Sequence, residues 1–176
     1  MIEAIDIREP RATANMPAER RLWTVLVPVD GLAAPGATIG RLAPLLSGHR
    51  LVVVATWRSV KPVAGMARAA MPGAMVALGA ARMDEESSRA AERVAADAAA
   101  VARECGIDAA VRTPRLTGGW GPELAALAER ERVDAVLLGR PCRALERRLR
   151  HAGIVTLMAA PPERAAVAQP PASAPA

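Results

Sequence analysis

The sequence contains no phenylalanine and no tyrosine, and its three tryptophans bring aromatic content to only 2%. Hydrophobic residues make up 52%, so a core must be filled by Val, Leu, Ile, Met and much Ala. That scarcity argues against most all-β sandwiches and barrels, whose strands rely on aromatic and β-branched side chains. It also argues against stacking platforms for single-stranded nucleic acid, which need exposed rings. Lysine is nearly missing as well: Lys61 stands alone, and arginine carries the rest of the positive charge. Arginine, alanine, glycine and proline together suggest a GC-rich coding background.

Cysteine is scarce and scattered. Cys105 and Cys142 form no CxxC, and His49 and His151 are isolated, so no metal-ligand spacing exists. A reduced, cytoplasmic chain is the expectation. The opening MIEAIDIREPRATANMPAERR carries acids and no apolar run, unlike a signal peptide. The longest apolar stretch, Pro62–Ala81, contains Arg68, two prolines and three glycines, too broken for a membrane span.

A length of 176 residues suits one domain with tails. Residues 1–20 read as an N-terminal arm, 21–161 as the folded domain, and 162–176 as a disordered Pro/Ala-rich tail. Within the domain, short apolar runs alternate with helical patterns. Leu22–Val29 reads as a strand ended by the turn signal Asp30-Gly31. Pro35 opens a helix that runs toward Gly48, with Pro44 expected to kink or split it. Leu51–Trp57 is the second strand.

The segment 58–83, punctuated by Met66, Met71, Met75 and Met83, reads as a loop with one short helix on the sheet edge. The other reading is an adaptable apolar surface for a partner. Asp84 is expected to cap the next helix, whose stripe is Val94, Ala98, Val101 and Cys105, ending at Gly106. Cys105 is then a small core residue. Ile107–Thr113 is the third strand. A glycine loop and a helix opened by Pro122 follow, with Leu124, Leu127 and Ala128 inward. Asp134–Gly139 is the fourth strand. Arg143–Ala152 is a short basic helix with Leu145, Leu149 and Ala152 inward and Glu146 paired with Arg150. Ile154–Ala159 is the fifth strand. The pattern predicts an α/β fold: an open five-stranded parallel sheet with helices on both faces. Ligands of such sheets sit beyond the carboxyl ends of the strands, where strand order reverses.

Most familiar chemistries fail at those loops. The turn DGLAAPG lacks the GxGxxG spacing, no GxxxxGK[ST] occurs, and no GxSxG elbow is present. A phosphoacceptor receiver lacks its acidic cluster and its lysine. No Ser–His–Asp or Cys–His arrangement emerges.

The run VLVPVDG (Val25–Gly31) and the later DAVLLG (Asp134–Gly139), in this order of elements, resemble the universal stress protein family over about Leu22–Met158. The resemblance implies a five-stranded parallel sheet of the adenine-nucleotide alpha-hydrolase-like class, dimerisation through the last strand and, in many members, ATP binding. Carried over, the adenosine-contacting acid is Asp30, beside Pro28 and Val29. The other reading makes Asp30 a turn-forming residue before Pro35.

The family's phosphate motif is Gly, two residues, Gly, nine residues, Gly, then Ser or Thr. Here Gly139 matches, Cys142 replaces the second glycine, and Ala152 replaces the third. The long phosphate loop is expected to be missing, so no cofactor is expected. Arg140 and Arg143 are candidates for an anion site that would take ATP or AMP instead. Arg140, Arg143, Arg147, Arg148 and Arg150 against Glu146 carry +4 of the net +5. No nucleic-acid motif accompanies them, so nucleic acid is not the expected partner. The expectation is a non-enzymatic stress-response module: a homodimer through Ile154–Ala159 acting through an unknown protein partner, with nucleotide binding by Asp30 and the Arg140 region as the alternative.

Overall fold

The computed structural model describes residues 22–32, 34–59 and 73–159. The expected arm (1–20), the tail (162–176), the outer domain limits, and Met66 and Met71 lie outside the described residues.

Five parallel strands form the sheet: β1 (Thr24–Pro28), β2 (Arg50–Val54), β4 (Asp108–Arg112), β6 (Ala135–Leu138) and β7 (Val155–Met158). Their order across it is β4-β2-β1-β6-β7. Helix α1 (Pro35–Leu46) and helix α2 (Gly73–Glu104) cover one face through Ile39, Leu46 and a row of α2 alanines. Helix α3 (Trp120–Arg130) and helix α4 (Arg143–His151) cover the other through Leu124, Leu127, Leu145 and Leu149. After Thr24 and Arg50 at their starts, the central strands are apolar because both of their faces are covered.

Several elements depart from the sequence reading. The expected second strand ends early, at Val54. In register, Pro28 opposes Val54, and the chain after Pro28 turns away in a single 3-10 turn, Val29–Gly31. With its inner neighbour gone, β2 leaves the sheet. Trp57–Arg58 (β3) then pairs with Arg115–Leu116 (β5) as a separate two-stranded ribbon.

Pro44 does not split α1, which runs unbroken from Pro35 to Leu46. The proline is exposed, so its ring lies on the solvent side of the helix and disturbs no core packing. Asp84 is no cap either, because α2 already starts at Gly73 and spans 32 residues. The expected stripe on α2 is also rotated. Ala91, Ala95, Ala98, Ala99 and Ala102 are buried, while Val94 is 45% exposed and Cys105 is exposed. Alanines let the helix lie close to the sheet, so the inward face is the smallest one and not the most apolar one. Ala152 likewise points outward. Helix α3 begins two residues before Pro122, which sits in the first turn, where its missing N–H costs nothing.

The helix stops are well formed. At the end of α2, Gly106 (φ 77°) donates to Arg103 O at 2.8 Å and Ile107 donates to Ala102 O at 3.0 Å. These paired bonds close a Schellman motif, which needs a left-handed residue. Gly153 repeats it after α4, where Ile154 donates to Leu149 O at 2.8 Å. After α3 the same pair of bonds forms around Arg132, a non-glycine residue at φ 51°.

Candidate functional site

Strand order reverses between β1 and β6, so the crevice of this sheet lies at their carboxyl ends. Asp30 follows β1 and Arg140 follows β6. Both line a cleft of about 410 Å³ together with Thr56, Arg58 and the rings of Trp57 and Trp120. The β3–β5 ribbon raises one wall of this cleft. Its position is held from α2: the Asp84 carboxylate accepts from Ser59 Oγ and lies 4.0 Å from Arg115. Arg115 in turn sits 5.5 Å from the ring centre of Trp57, a cation–π contact over one ring face.

Backbone N–H groups around this crevice are engaged by the protein's own carboxylates. Asp30 Oδ2 accepts from Thr56 N at 2.9 Å and from Thr56 Oγ1 at 2.5 Å. Glu123, in the first turn of α3, accepts from Thr117 N at 2.8 Å and from Gly118 N. Glu146, in the first turn of α4, accepts from Cys142 N at 2.8 Å. Some burial raises the Glu123 carboxyl, but the N–H groups of Gly118 and Thr117, the Thr117 hydroxyl and the charge of Arg58 outweigh it. The net effect holds Glu123 below the usual carboxylate range. Both glutamates thus serve N–H groups just before their helices, and each places a carboxylate in a first turn, where the helix start favours negative charge.

The six residues singled out from sequence do not converge fully. Pro28 and Val29 are buried at the end of β1, with Val29 in the core, so they position Asp30 without offering side chains. Gly139 is half-buried beside exposed Arg140. Arg143 opens α4, is exposed, and is not among the residues lining the cleft. Glu146 serves the Cys142 N–H, where the sequence suggested a pair with Arg150. The connection from β6 to α4 is four residues, 139–142, so the long phosphate loop of the sequence resemblance has no room.

Sequence reasoning missed Arg58, Thr56, Trp120, Glu123 and Glu146. Glutamate in a first helical turn is the readable signal for the last two. Trp120 has one further peculiarity: its Nε1 is buried without a hydrogen-bond partner among the described residues.

Among the described residues no helix is long and apolar enough to cross a membrane. No protein-family model matches the sequence, and no curated protein matches it. Solved structures do match. A universal stress protein family member from Burkholderia pseudomallei is 24% identical, over 77% of this chain and 93% of its own, with a TM-score of 0.50. The universal stress protein UspA from Lactobacillus plantarum is 12% identical, over 80% of this chain and 99% of its own, with a TM-score of 0.54. With its strand order, its helices on both faces and these structural relatives, the chain has the universal stress protein fold, closed by a four-residue connection after β6.

Proposed function

We propose that the chain is a non-enzymatic binding module that works as a homodimer and acts through contacts with other proteins. The observation that carries this reading is the set of three carboxylates, Asp30, Glu123 and Glu146, on the backbone donors around the crevice. A polyphosphate approaching these turns would meet that negative charge.

The dimer rests on β7, an edge strand of the sheet. Its outer N–H and C=O groups form a template for a second copy. Thr156→Pro removes a donor from the middle of that edge and is expected to give a monomer by light scattering. A variant that stays dimeric would rule out pairing through β7.

The cleft itself favours a second reading. Arg58 and Arg140 present two guanidinium groups beside Asp30 and two tryptophan rings, and about 410 Å³ is within the size range of small-ligand sites. That combination suits a nucleoside monophosphate such as AMP better than ATP. Isothermal titration calorimetry separates the readings. The first predicts no saturable heat with ATP; heat with AMP that disappears in Arg140→Ala supports the second. Saturable ATP binding overturns the first.

A further inference from the structure

Helices α3 and α4 lie side by side, and between them runs a groove of about 620 Å³ away from the Asp30 cleft. Its lining is small and apolar along α3, with Pro122, Ala125 and Ala126, and continues to Ala152 just past α4. Arg148 and His151 border it on one side and Glu129 on the other. Alanine side chains end at Cβ, so an incoming chain can approach the helices closely.

Beside the groove stands an unmatched row of charge. Leu145 and Leu149 are fully buried and fix the inward face of α4. At 100° per residue, Arg143, Arg147 and Arg150 then fall on the solvent side, while Arg148 turns toward α3. All four arginines are exposed. Four arginines elsewhere have acids nearby: Arg50 has Asp108, Arg89 has Glu85, Arg112 has Glu131 and Arg115 has Asp84. None of the four α4 arginines has an ion pair among the described residues, and Glu146, the one acid of the helix, faces the Cys142 N–H.

We propose that this groove and its arginine row are a docking site for an acidic segment of a partner protein, one that sets small apolar side chains on the alanine floor and carboxylates against Arg147 and Arg148. The inference deepens the protein-contact reading and rests on it. Charge complementarity selects an acidic partner, because arginine forks pair bidentately with carboxylates. The apolar floor selects a peptide over a nucleic acid, because a phosphate backbone has nothing apolar to place on the alanines, whereas a peptide can keep its carboxylates on the arginine side, away from Glu129. No tryptophan lines this groove to stack a base.

The test is fluorescence anisotropy with a labelled peptide of alternating glutamate, leucine and alanine, titrated with the full-length chain. Binding is expected at low salt and to weaken as salt rises. The Arg147→Glu/Arg148→Glu double variant is expected to weaken it by about tenfold or more. Ala126→Trp fills the floor without changing charge and is expected to weaken it by about tenfold. All three positions are exposed, and circular dichroism confirms that the variants fold. Unchanged binding by Ala126→Trp overturns the groove, as does duplex DNA binding more tightly than the peptide. A wild-type chain that ignores the peptide also overturns the groove but leaves the proposed function standing, since ATP calorimetry tests that separately.

Discussion

Glu146 Oε1 accepts the backbone N–H of Cys142 at 2.8 Å, placing a carboxylate at the start of α4, beside the connection where the sequence resemblance expects a phosphate loop. The contact completes the first turn of the helix from within. Removing it in Glu146→Ala leaves the Cys142 N–H without its acceptor and the helix start without its acid. The expected loss is about 1 kcal/mol, read as a lower midpoint in urea unfolding. Glu146→Gln retains an acceptor and is expected to lose less.

Acid titration provides a second check. The hydrogen bond from Arg112 outweighs the opposing effect of burial and, with the charge of Arg112, holds the Glu131 carboxyl below the usual range. Arg112 Nε lies 2.8 Å from Glu131 Oε1. Glu123 is lowered as well. A carboxyl lowered by folding contributes stability above its unfolded pKa of about 4.3 and loses that contribution as pH falls through its folded value. Thermal midpoints are therefore expected to fall from about pH 5 downward, and Glu131→Gln to flatten that decline. An equally steep acid limb in Glu131→Gln would remove the pair as its cause.

Arg132 is a site of stored strain. It closes the Schellman motif after α3 at φ 51°, where L-residues other than glycine lose roughly 1 kcal/mol or more. Arg132→Gly is expected to raise stability by about 0.5 kcal/mol, the relief exceeding the added freedom of glycine in the unfolded chain. Chemical denaturation measures the sign directly, and a destabilised variant would refute the argument.

Trp120 supports a fourth prediction. Its Nε1 is buried without a partner among the described residues, and an unmade buried hydrogen bond costs about 1–3 kcal/mol. Trp120→Phe deletes the donor but also removes ring area, so the two effects oppose. A loss in urea unfolding below about 1 kcal/mol is expected, since deleting the unpaired donor offsets the lost ring area. A larger loss would mean that the indole N–H is not a liability.

The five strands of the main sheet, their parallel class and the order of the helices were legible because the chain punctuates itself; the start of α2 and the β3–β5 ribbon were not. VLVPV, LVVV, AVLL and IVTLM are short apolar runs, and glycines or prolines separate them from helical patterns. The fold could be read because both sheet faces are covered, which makes its strands continuously apolar. Face-level detail on α2 was not legible. Its alanines give a weak hydrophobic contrast, so Val94 and Cys105 drew the stripe away from the smaller residues that pack inward. The end of β2 was equally hidden, because it depends on β1 turning away after Pro28. At the site, Asp30 and Arg140 were singled out through the family resemblance, and their places after β1 and β6 bring both to the cleft. Glu123 and Glu146 could not, since they act on N–H groups that only the assembled turns place within reach.

The central claim is that the crevice donors are held by the protein's own carboxylates and do not receive a triphosphate. Two-dimensional amide NMR of the isotopically labelled chain, titrated with magnesium ATP, tests it most directly. The account predicts that the Thr56, Gly118 and Cys142 amide signals stay in place through the titration. Saturable movement of those three signals with a common binding constant would contradict it.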